Sequence, residues 1–308
     1  MTIEKPTDNQ TTTQNSIIVK PKNSPKKTSL PAKMSQMLWS ISKQLLTPKT
    51  YTKQNLTTQW QRSKRVARLM MTVQTGMGYA WQIQQHPNAD KHEVIRHIQS
   101  FCTQSLQALN IEVIAVKPIP THHALWTSNH ISWLDIPVVG SSIPTFFLSK
   151  EEIAHWPIIG WLARMANTLF IKRGSGDANA VANQMTAFLK DGFPVVFFPE
   201  ATTTDGTAVK RIHGKLLQSA MDSGVLIQPI VICYVNKYGQ LDQYIPYYGD
   251  INFLDSVRDV LDNEPAKAYI LPLEAIDPMG KTRSEITALL QERMQQGLIA
   301  LHQQVMRK

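Results

Sequence analysis

Short apolar runs alternate with helical stretches from residue 88 onward, and this alternation narrows the folds open to the chain. Runs rich in β-branched and aromatic residues predict strands at 111–116, at the segment entering Asn129, and at 145–148, 168–171, 194–198 and 225–234. Helices are predicted between them, at about 92–109, 150–166, 177–190 and 215–222. This order predicts an α/β fold with a central mixed, largely parallel sheet covered by helices, and a site at the carboxyl ends of its strands.

The segment after the second strand places His130 and Asp135 five residues apart. A helix would turn these side chains about 140° from each other, and a strand would send them to opposite faces. A bend is therefore needed, and polar residues 127–129 followed by Pro137, which favours a first helical turn, supply one. The resulting strand, loop and helix start predicts both side chains in one cleft, where the carboxylate orients an imidazole that acts as a general base. In the alternative interpretation, Ser132 and Asp135 form a helix cap and His130 is a loop residue.

Two other predicted strands end in charged residues. Lys172 and Arg173 follow the run 168–171, and Glu200 with three threonines follows the run 194–198. A His-Asp pair, a basic pair and a glutamate at neighbouring strand ends suit an anionic substrate beside a general base. In the alternative interpretation, Lys172 and Arg173 are a solvated strand end, and the segment that starts at Glu200 is a capping loop.

Basic residues are concentrated near the N-terminus, where residues 1–70 hold 13 Lys and Arg against 2 Asp and Glu. Residues 1–33 are polar with few large apolar side chains, which predicts a disordered basic tail. Residues 34–84 carry apolar residues at helical spacing among lysines and arginines, which predicts amphipathic helices. These helices either associate with a membrane, where each basic side chain gains roughly 1 kcal/mol from anionic lipid, or pack on the main domain, residues 85–308.

Several classes of protein are not supported by the sequence. No apolar stretch reaches the roughly 18 residues of a membrane-spanning helix, and no apolar signal segment follows the first charges. The two cysteines, Cys102 and Cys233, lack metal-ligand spacing and are expected to be reduced thiols in a cytoplasmic protein. We therefore expect no metal site.

Four sequence blocks, in order, resemble the glycerolipid acyltransferase family, whose best-known members are the 1-acylglycerol-3-phosphate acyltransferases. The resemblance covers roughly residues 92–300. The blocks are Asn129, His130 and Asp135 for Asn-His-x4-Asp; 169–173 for an apolar run ending in a basic residue and Arg; Phe198, Pro199, Glu200 and Thr202 for Phe-Pro-Glu-Gly-Thr; and 227–231 for an apolar strand with a central Pro. Lys150 stands where relatives often carry Lys.

The resemblance implies that residues 85–308 are an acyltransferase domain that moves an acyl group from acyl-CoA or acyl carrier protein to the hydroxyl of a lysolipid. His130 would be the base and Asp135 its orienting partner. Substrate binding would involve Asn129, Lys150, Lys172, Arg173, Glu200, Ala201, Thr202 and Thr203. The expected partners are the lysolipid, the acyl donor and an anionic membrane surface, with no cofactor and no nucleic acid. The expected location is the inner face of the cytoplasmic membrane, as a peripheral or monotopic protein.

Two departures from the family pattern bear on the acceptor. Ala201 stands where the family has Gly, which requires either a negative φ or room for a methyl beside the substrate. Thr203 stands where lysophosphatidate enzymes often have Arg. The resemblance implies 1-acyl-sn-glycerol-3-phosphate as acceptor, giving phosphatidic acid, and a lyso-ornithine lipid is the alternative. A thioesterase and a non-catalytic lipid-binding protein are the rival functions.

Overall fold

The computed structural model describes residues 30–47, 56–86, 88–172 and 176–307. The predicted tail up to residue 29, and Arg173, lie outside the described residues. Seven strands of the described chain form one sheet in the order β1-β7-β6-β2-β5-β3-β4. They are β1 (Glu112–Ala115), β2 (Ala124–Ser128), β3 (Phe146–Lys150), β4 (Leu169–Ile171), β5 (Val195–Phe197), β6 (Leu226–Val235) and β7 (Lys267–Pro272). β6 and β7 pair antiparallel and the other neighbouring strands pair parallel, so the predicted mixed, largely parallel sheet is confirmed.

Helices cover both faces of this sheet because its strands are apolar on both sides. Every residue of β2 is buried, with Trp126 in the core that contains Leu106 and Val138, and Leu125 in the core that contains Val181 and Leu290. The helices are α1 (Leu30–Leu46), α2 (Leu56–Gln85), α3 (Lys91–Leu109), α4 (Asp135–Ser142), α5 (Glu151–Ala154), α6 (Ile159–Met165), α7 (Ala178–Lys190), α8 (Gln218–Ser223), α9 (Phe253–Asp262) and α10 (Arg283–Val305). A 3-10 turn, Gly214–Leu217, precedes α8.

The predicted helix at 150–166 is wrong as a single element. The structure has α5 and α6 instead, separated by a turn that contains Pro157. Proline lacks a backbone N–H and disfavours helical geometry at the residue before it, so the helix is interrupted there. Sequence analysis also assigns no element after residue 234, where the structure has α9, β7 and α10.

The N-terminal helices α1 and α2 pack against the main domain. Apolar residues of the two helices share a small core with the start of α6: Met34, Leu38, Val73, Ala80, Ile158 and Trp161. Leu45 and Val66 extend into the large core beneath the sheet. No described helix is both long enough and apolar enough to cross a bilayer.

A buried arginine on α2 joins two other helices. The Arg65 guanidinium donates hydrogen bonds to the backbone carbonyls of Leu109, Val260, Leu261 and Asn263, at 2.7 to 3.0 Å. These carbonyls lie at the C-terminal ends of α3 and α9, where helical hydrogen bonding leaves oxygens without a partner. Burial lowers the pKa of Arg65 to about 10, so the side chain remains charged at neutral pH.

Arg62, one turn earlier, fixes the end of α1 in a similar way. Its guanidinium donates to the carbonyls of Leu45, at 2.6 Å, and Thr47, at 3.2 Å, and forms an ion pair with Asp262 on α9. Two of the basic residues near the N-terminus are therefore buried parts of the fold.

Replacing Arg65 should destabilise the protein strongly. In Arg65→Met the four carbonyls lose their donor inside the protein, so we expect the free energy of unfolding to fall by about 3 kcal/mol. Arg68→Met is the matched control, because Arg68 is exposed and makes one long hydrogen bond, of 3.3 Å, to Asn110; its effect should stay within about 0.5 kcal/mol. Urea denaturation measures both, and equal losses would contradict this role for Arg65.

Candidate active site

His130 and Asp135 meet at the carboxyl end of β2. The loop after Ser128 turns into α4, which begins at Asp135, and this bend brings the His130 Nδ1 within 2.7 Å of the Asp135 Oδ2. Nδ1 is therefore hydrogen-bonded to the carboxylate and does not face a substrate. The other ring nitrogen, Nε2, is the one able to accept a proton from a substrate, and His130 lines a cavity.

The Asp135 carboxylate is fully buried and is surrounded by donors. Its Oδ2 also accepts the backbone N–H groups of Ile131, at 2.7 Å, and Ser132, at 2.9 Å. Its Oδ1 accepts the Tyr234 hydroxyl at 2.7 Å. The carboxylate thus holds the turn before α4 and also orients the His130 ring.

Tyr234 is a site residue that the sequence analysis missed. It is buried in β6, and burial first, then the Asp135 charge, raise the pKa of its phenol well above the usual value. The phenol therefore stays protonated and donates to Asp135. β6 runs past the end of β2, since Ser128 pairs with Ile230. A tyrosine at the end of an otherwise apolar run was the available signal.

The third sequence block supports His130 through its backbone and its ring. Phe198 stacks on the imidazole with the ring centroids 4.1 Å apart and the planes at 14°. The His130 N–H donates to Glu200 Oε1 at 2.8 Å, and the His130 carbonyl accepts the N–H and the hydroxyl of Thr204 at 2.9 and 3.2 Å. The segment after β5 thus fixes the loop after β2.

Glu200 was predicted to bind substrate, but its carboxylate is occupied by the protein backbone. The residue is 2% exposed, and its Oε2 accepts the Lys210 N–H at 2.7 Å while Oε1 accepts that of His130. Burial raises the pKa of Glu200 to about 7 although these two hydrogen bonds lower it. Glu200 is thus a positioning residue behind the cavity wall.

Asn129 was also predicted to bind substrate, and the structure places it in the sheet. Its buried side-chain amide accepts the Ile232 N–H at 2.7 Å and donates to the Ile232 carbonyl at 3.0 Å. The amide thereby continues the pairing of β6 where β2 has ended. Asn129 thus pairs with a strand that continues beyond the end of β2. The sequence pattern gives no sign of this pairing, because it does not show which residue of β6 lies opposite Asn129.

A cavity of about 1050 Å³ lies in front of His130. One part is lined by apolar residues of α1, α2, α3 and α6, and the part near the strand ends carries polar residues: His130, Lys150, Lys172, Thr203, His213 and Lys215. Ala201, which was predicted to bind substrate, also lines the cavity. Thr202, predicted for the same role, is not part of the cavity wall, and Arg173 lies outside the described residues. His213 and Lys215 were not predicted; two basic side chains flanking Gly214 were the available signal.

Ala201 does not have the negative φ that was the first of the two alternatives expected for it. Its φ is +56°, in the left-handed region, which leaves the second alternative, a methyl group beside the substrate. A Cβ in this region costs about 1 kcal/mol. The Ala201 methyl group lies in the cavity wall, next to the space that a substrate would occupy.

Glu200 should lower the free energy of unfolding as the pH rises from 4.5 towards 7. Its pKa of about 7 in the folded protein exceeds the ordinary 4.5, so the unfolded chain releases this proton first as the pH rises. Its contribution to the free energy of unfolding is therefore complete below pH 4.5 and decreases, by roughly 3 kcal/mol at most, as the pH approaches 7. Denaturation between these pH values should show this decrease in the wild type and in Glu274→Gln, whose side chain is exposed, and not in Glu200→Gln. Equal pH slopes in all three proteins would contradict this expectation.

Comparisons with known proteins find acyltransferases. The family model described as Acyltransferase matches residues 110–233. The chain is 37% identical over 232 residues to a lyso-ornithine lipid O-acyltransferase of Pseudomonas aeruginosa, which covers 74% of this chain and 90% of that protein. It is 34% identical over 150 residues to a 1-acyl-sn-glycerol-3-phosphate acyltransferase of Neisseria gonorrhoeae, covering 48% of this chain and 58% of that one.

A solved structure has the same fold. It is the crystal structure of the 1-acyl-sn-glycerophosphate acyltransferase PlsC from Thermotoga maritima, with a TM-score of 0.55 and 21% identity, covering 77% of this chain and 97% of that one. Together with the near full-length relative from Pseudomonas aeruginosa, the match of the family model shows that this chain belongs to the acyltransferase family.

Proposed function

We propose that this protein transfers an acyl group from a thioester to the hydroxyl group of a lysolipid, and that the acceptor is a lyso-ornithine lipid. The observation that carries the proposal is the orientation of His130, whose Nδ1 is held by Asp135 at the edge of a large and mainly apolar cavity. This arrangement combines a general base with space for an alkyl chain.

In the proposed reaction His130 acts twice. Its Nε2 takes the proton of the acceptor hydroxyl as the oxygen attacks the thioester carbonyl carbon. When the resulting tetrahedral intermediate collapses, the carbon–sulfur bond breaks and the imidazolium returns the proton to the leaving thiolate, giving an ester and a free thiol. Asp135 stabilises the imidazolium and keeps the ring in the productive tautomer, as the carboxylate does in hydrolase triads.

Two observations favour a lyso-ornithine lipid as the acceptor. The relative that matches over 90% of its own length carries that name. The cavity wall has Thr203 where lysophosphatidate enzymes often have Arg, so one cation expected for a phosphate monoester is absent from this position. Lysophosphatidate is the second candidate, because Lys150 and Lys172 line the cavity and can pair with a phosphate.

Thiol release tests this reaction directly. The wild type should release thiol from acyl-CoA, or from acyl carrier protein, when lyso-ornithine lipid is added, and His130→Ala should lower kcat by at least about 10³-fold because it removes the base. The melting temperature of the variant controls for folding. Equal release without acceptor would identify a thioesterase, release only with lysophosphatidate would identify the second acceptor, and no release would indicate a non-catalytic lipid-binding protein.

We also infer that α1 and α2 bind to the anionic lipid surface at the inner face of the cytoplasmic membrane. Trp39 and Trp60 are 62% and 61% exposed, although most large apolar residues of the described chain are covered. A lysine lies over each ring, Lys43 at 3.6 Å and Lys64 at 3.3 Å from the centroid. Tryptophan favours the headgroup region and lysine favours anionic lipid, so each pair suits this surface.

Removing these tryptophans should weaken membrane binding. Because α1 is part of the core, truncating it would disturb the fold, so a Trp39→Ser, Trp60→Ser double variant is the better test. We expect its affinity for phosphatidylglycerol vesicles to fall at least about tenfold, a loss of about 1.4 kcal/mol. Met279→Ser, at another exposed apolar residue, is the control, and unchanged sedimentation of the double variant with vesicles would refute the inference.

A further inference from the structure

Four aromatic residues form a continuous group in the cavity beside His130. Phe253 is at its centre, with its ring centroid 4.8 Å from that of Trp156, 5.6 Å from Trp133 and 6.3 Å from Tyr247. All four line the cavity together with His130, and each keeps part of its surface exposed. We call these four residues the aromatic wall.

The aromatic wall is rigidly attached to the loop that carries His130. The Trp133 indole N–H donates to the Ser256 hydroxyl at 3.1 Å, which fixes this ring against α9. The Tyr247 N–H donates to the carbonyl of Ile131, the neighbour of His130, at 2.9 Å. The Trp133 ring and the Tyr247 backbone are thus held in place by hydrogen bonds.

The sheet places Tyr247 and Phe253 on one side of His130 and the cavity lysines on the other. In the strand order β6-β2-β5-β3-β4, His130 follows β2, and Tyr247 and Phe253 come from the chain after β6. Lys150 and Lys172 are at the ends of β3 and β4, on the other side of β2. Trp156, which follows β3 and α5, reaches Phe253 from the side of the lysines, so the aromatic wall extends across the cavity in front of His130.

No charged side chain of the described residues 236–262 lines the cavity at the aromatic wall. This segment contains five aspartates, against Lys237 and Arg258, and Asp255 and Asp262 are paired with Arg258 and Arg62. Arg258 is engaged, because it pairs with Asp255 at 3.0 Å and donates to the carbonyl of Gln44. The described residues of this segment that line the cavity carry no charge of their own: Tyr247, Phe253, Leu254 and Val257.

Aromatic faces can bind a cation, since their quadrupoles present negative potential. The aliphatic part of the cavity, under α1, α2 and α6, already offers space for a chain. An ornithine acylated on one amino group keeps one ammonium and one carboxylate. A phosphate monoester would have no group suited to the aromatic wall.

We propose that the aromatic wall binds the ammonium group of a zwitterionic acceptor headgroup, while Lys150 and Lys172 bind its carboxylate. Both contacts together place the acceptor hydroxyl at His130 Nε2. This assignment rests on the proposed function, and it makes Trp156 and Tyr247 residues that determine which lysolipid is accepted.

Two acceptors that share their acyl chain test the proposal: lyso-ornithine lipid and its N-acetyl derivative, which has no ammonium group. In Trp156→Leu the KM for the ammonium acceptor should rise about tenfold, or about 1.4 kcal/mol, whereas the KM values for the acetylated acceptor and for acyl-CoA should stay within about twofold. Trp156→Phe, which keeps a ring, should limit the rise to about threefold. Tyr238→Leu, at an exposed ring outside the cavity wall, is the control.

Other results would overturn the proposal in distinguishable ways. An equal rise in KM for both acceptors would mean that the wall only packs against apolar groups, and a rise confined to acyl-CoA would assign it to the donor; transfer to lysolipid itself would stand in both cases. If Trp156→Leu does not fold, Tyr247→Leu on the outer loop gives the same comparison. Failure of the unchanged protein to transfer to any lysolipid would contradict the proposed function together with this inference.

Discussion

The buried carboxylate of Asp135 is the interaction on which the site depends. A charge removed from water is tolerated only where donors surround it, and here four converge: the N–H groups of Ile131 and Ser132, the His130 ring and the Tyr234 hydroxyl. Satisfying this one group shapes the turn before α4, orients the imidazole and requires β6 to extend beyond β2. The contacts that satisfy this buried carboxylate therefore also fix the orientation of His130.

Local sequence pattern was sufficient for the parts of the molecule that depend on neighbours in the chain. The runs around residues 124–128 and 194–198 predicted strands, and the bend between His130 and Asp135 followed from their spacing. Tyr234 and Glu200 depend on contacts with residues far away in the chain, whose partners no spacing reveals. A glutamate in a polar loop looks like a ligand for substrate, although both of its oxygens accept backbone N–H groups.

The basic N-terminal region shows how composition can mislead. Counting charges treats Arg62 and Arg65 as surface cations, whereas they close the ends of α1, α3 and α9 by binding backbone carbonyls. The last carbonyl groups of a helix have no N–H partner within the helix, and a buried guanidinium supplies several N–H donors for them. The same helices keep exposed tryptophans on their outer surface, so one segment combines structural and surface roles.

The manner in which Glu200 holds His130 has a consequence for how such enzymes diversify. Because its partners are main-chain N–H groups, which almost every residue type provides, this support of His130 tolerates changes in nearby side chains. Ala201 and Thr203 can then vary at the cavity wall while His130 keeps its position. The loop after β5 thus holds both a residue that fixes His130 and residues that shape the cavity wall, so this wall can change by few substitutions without moving the imidazole.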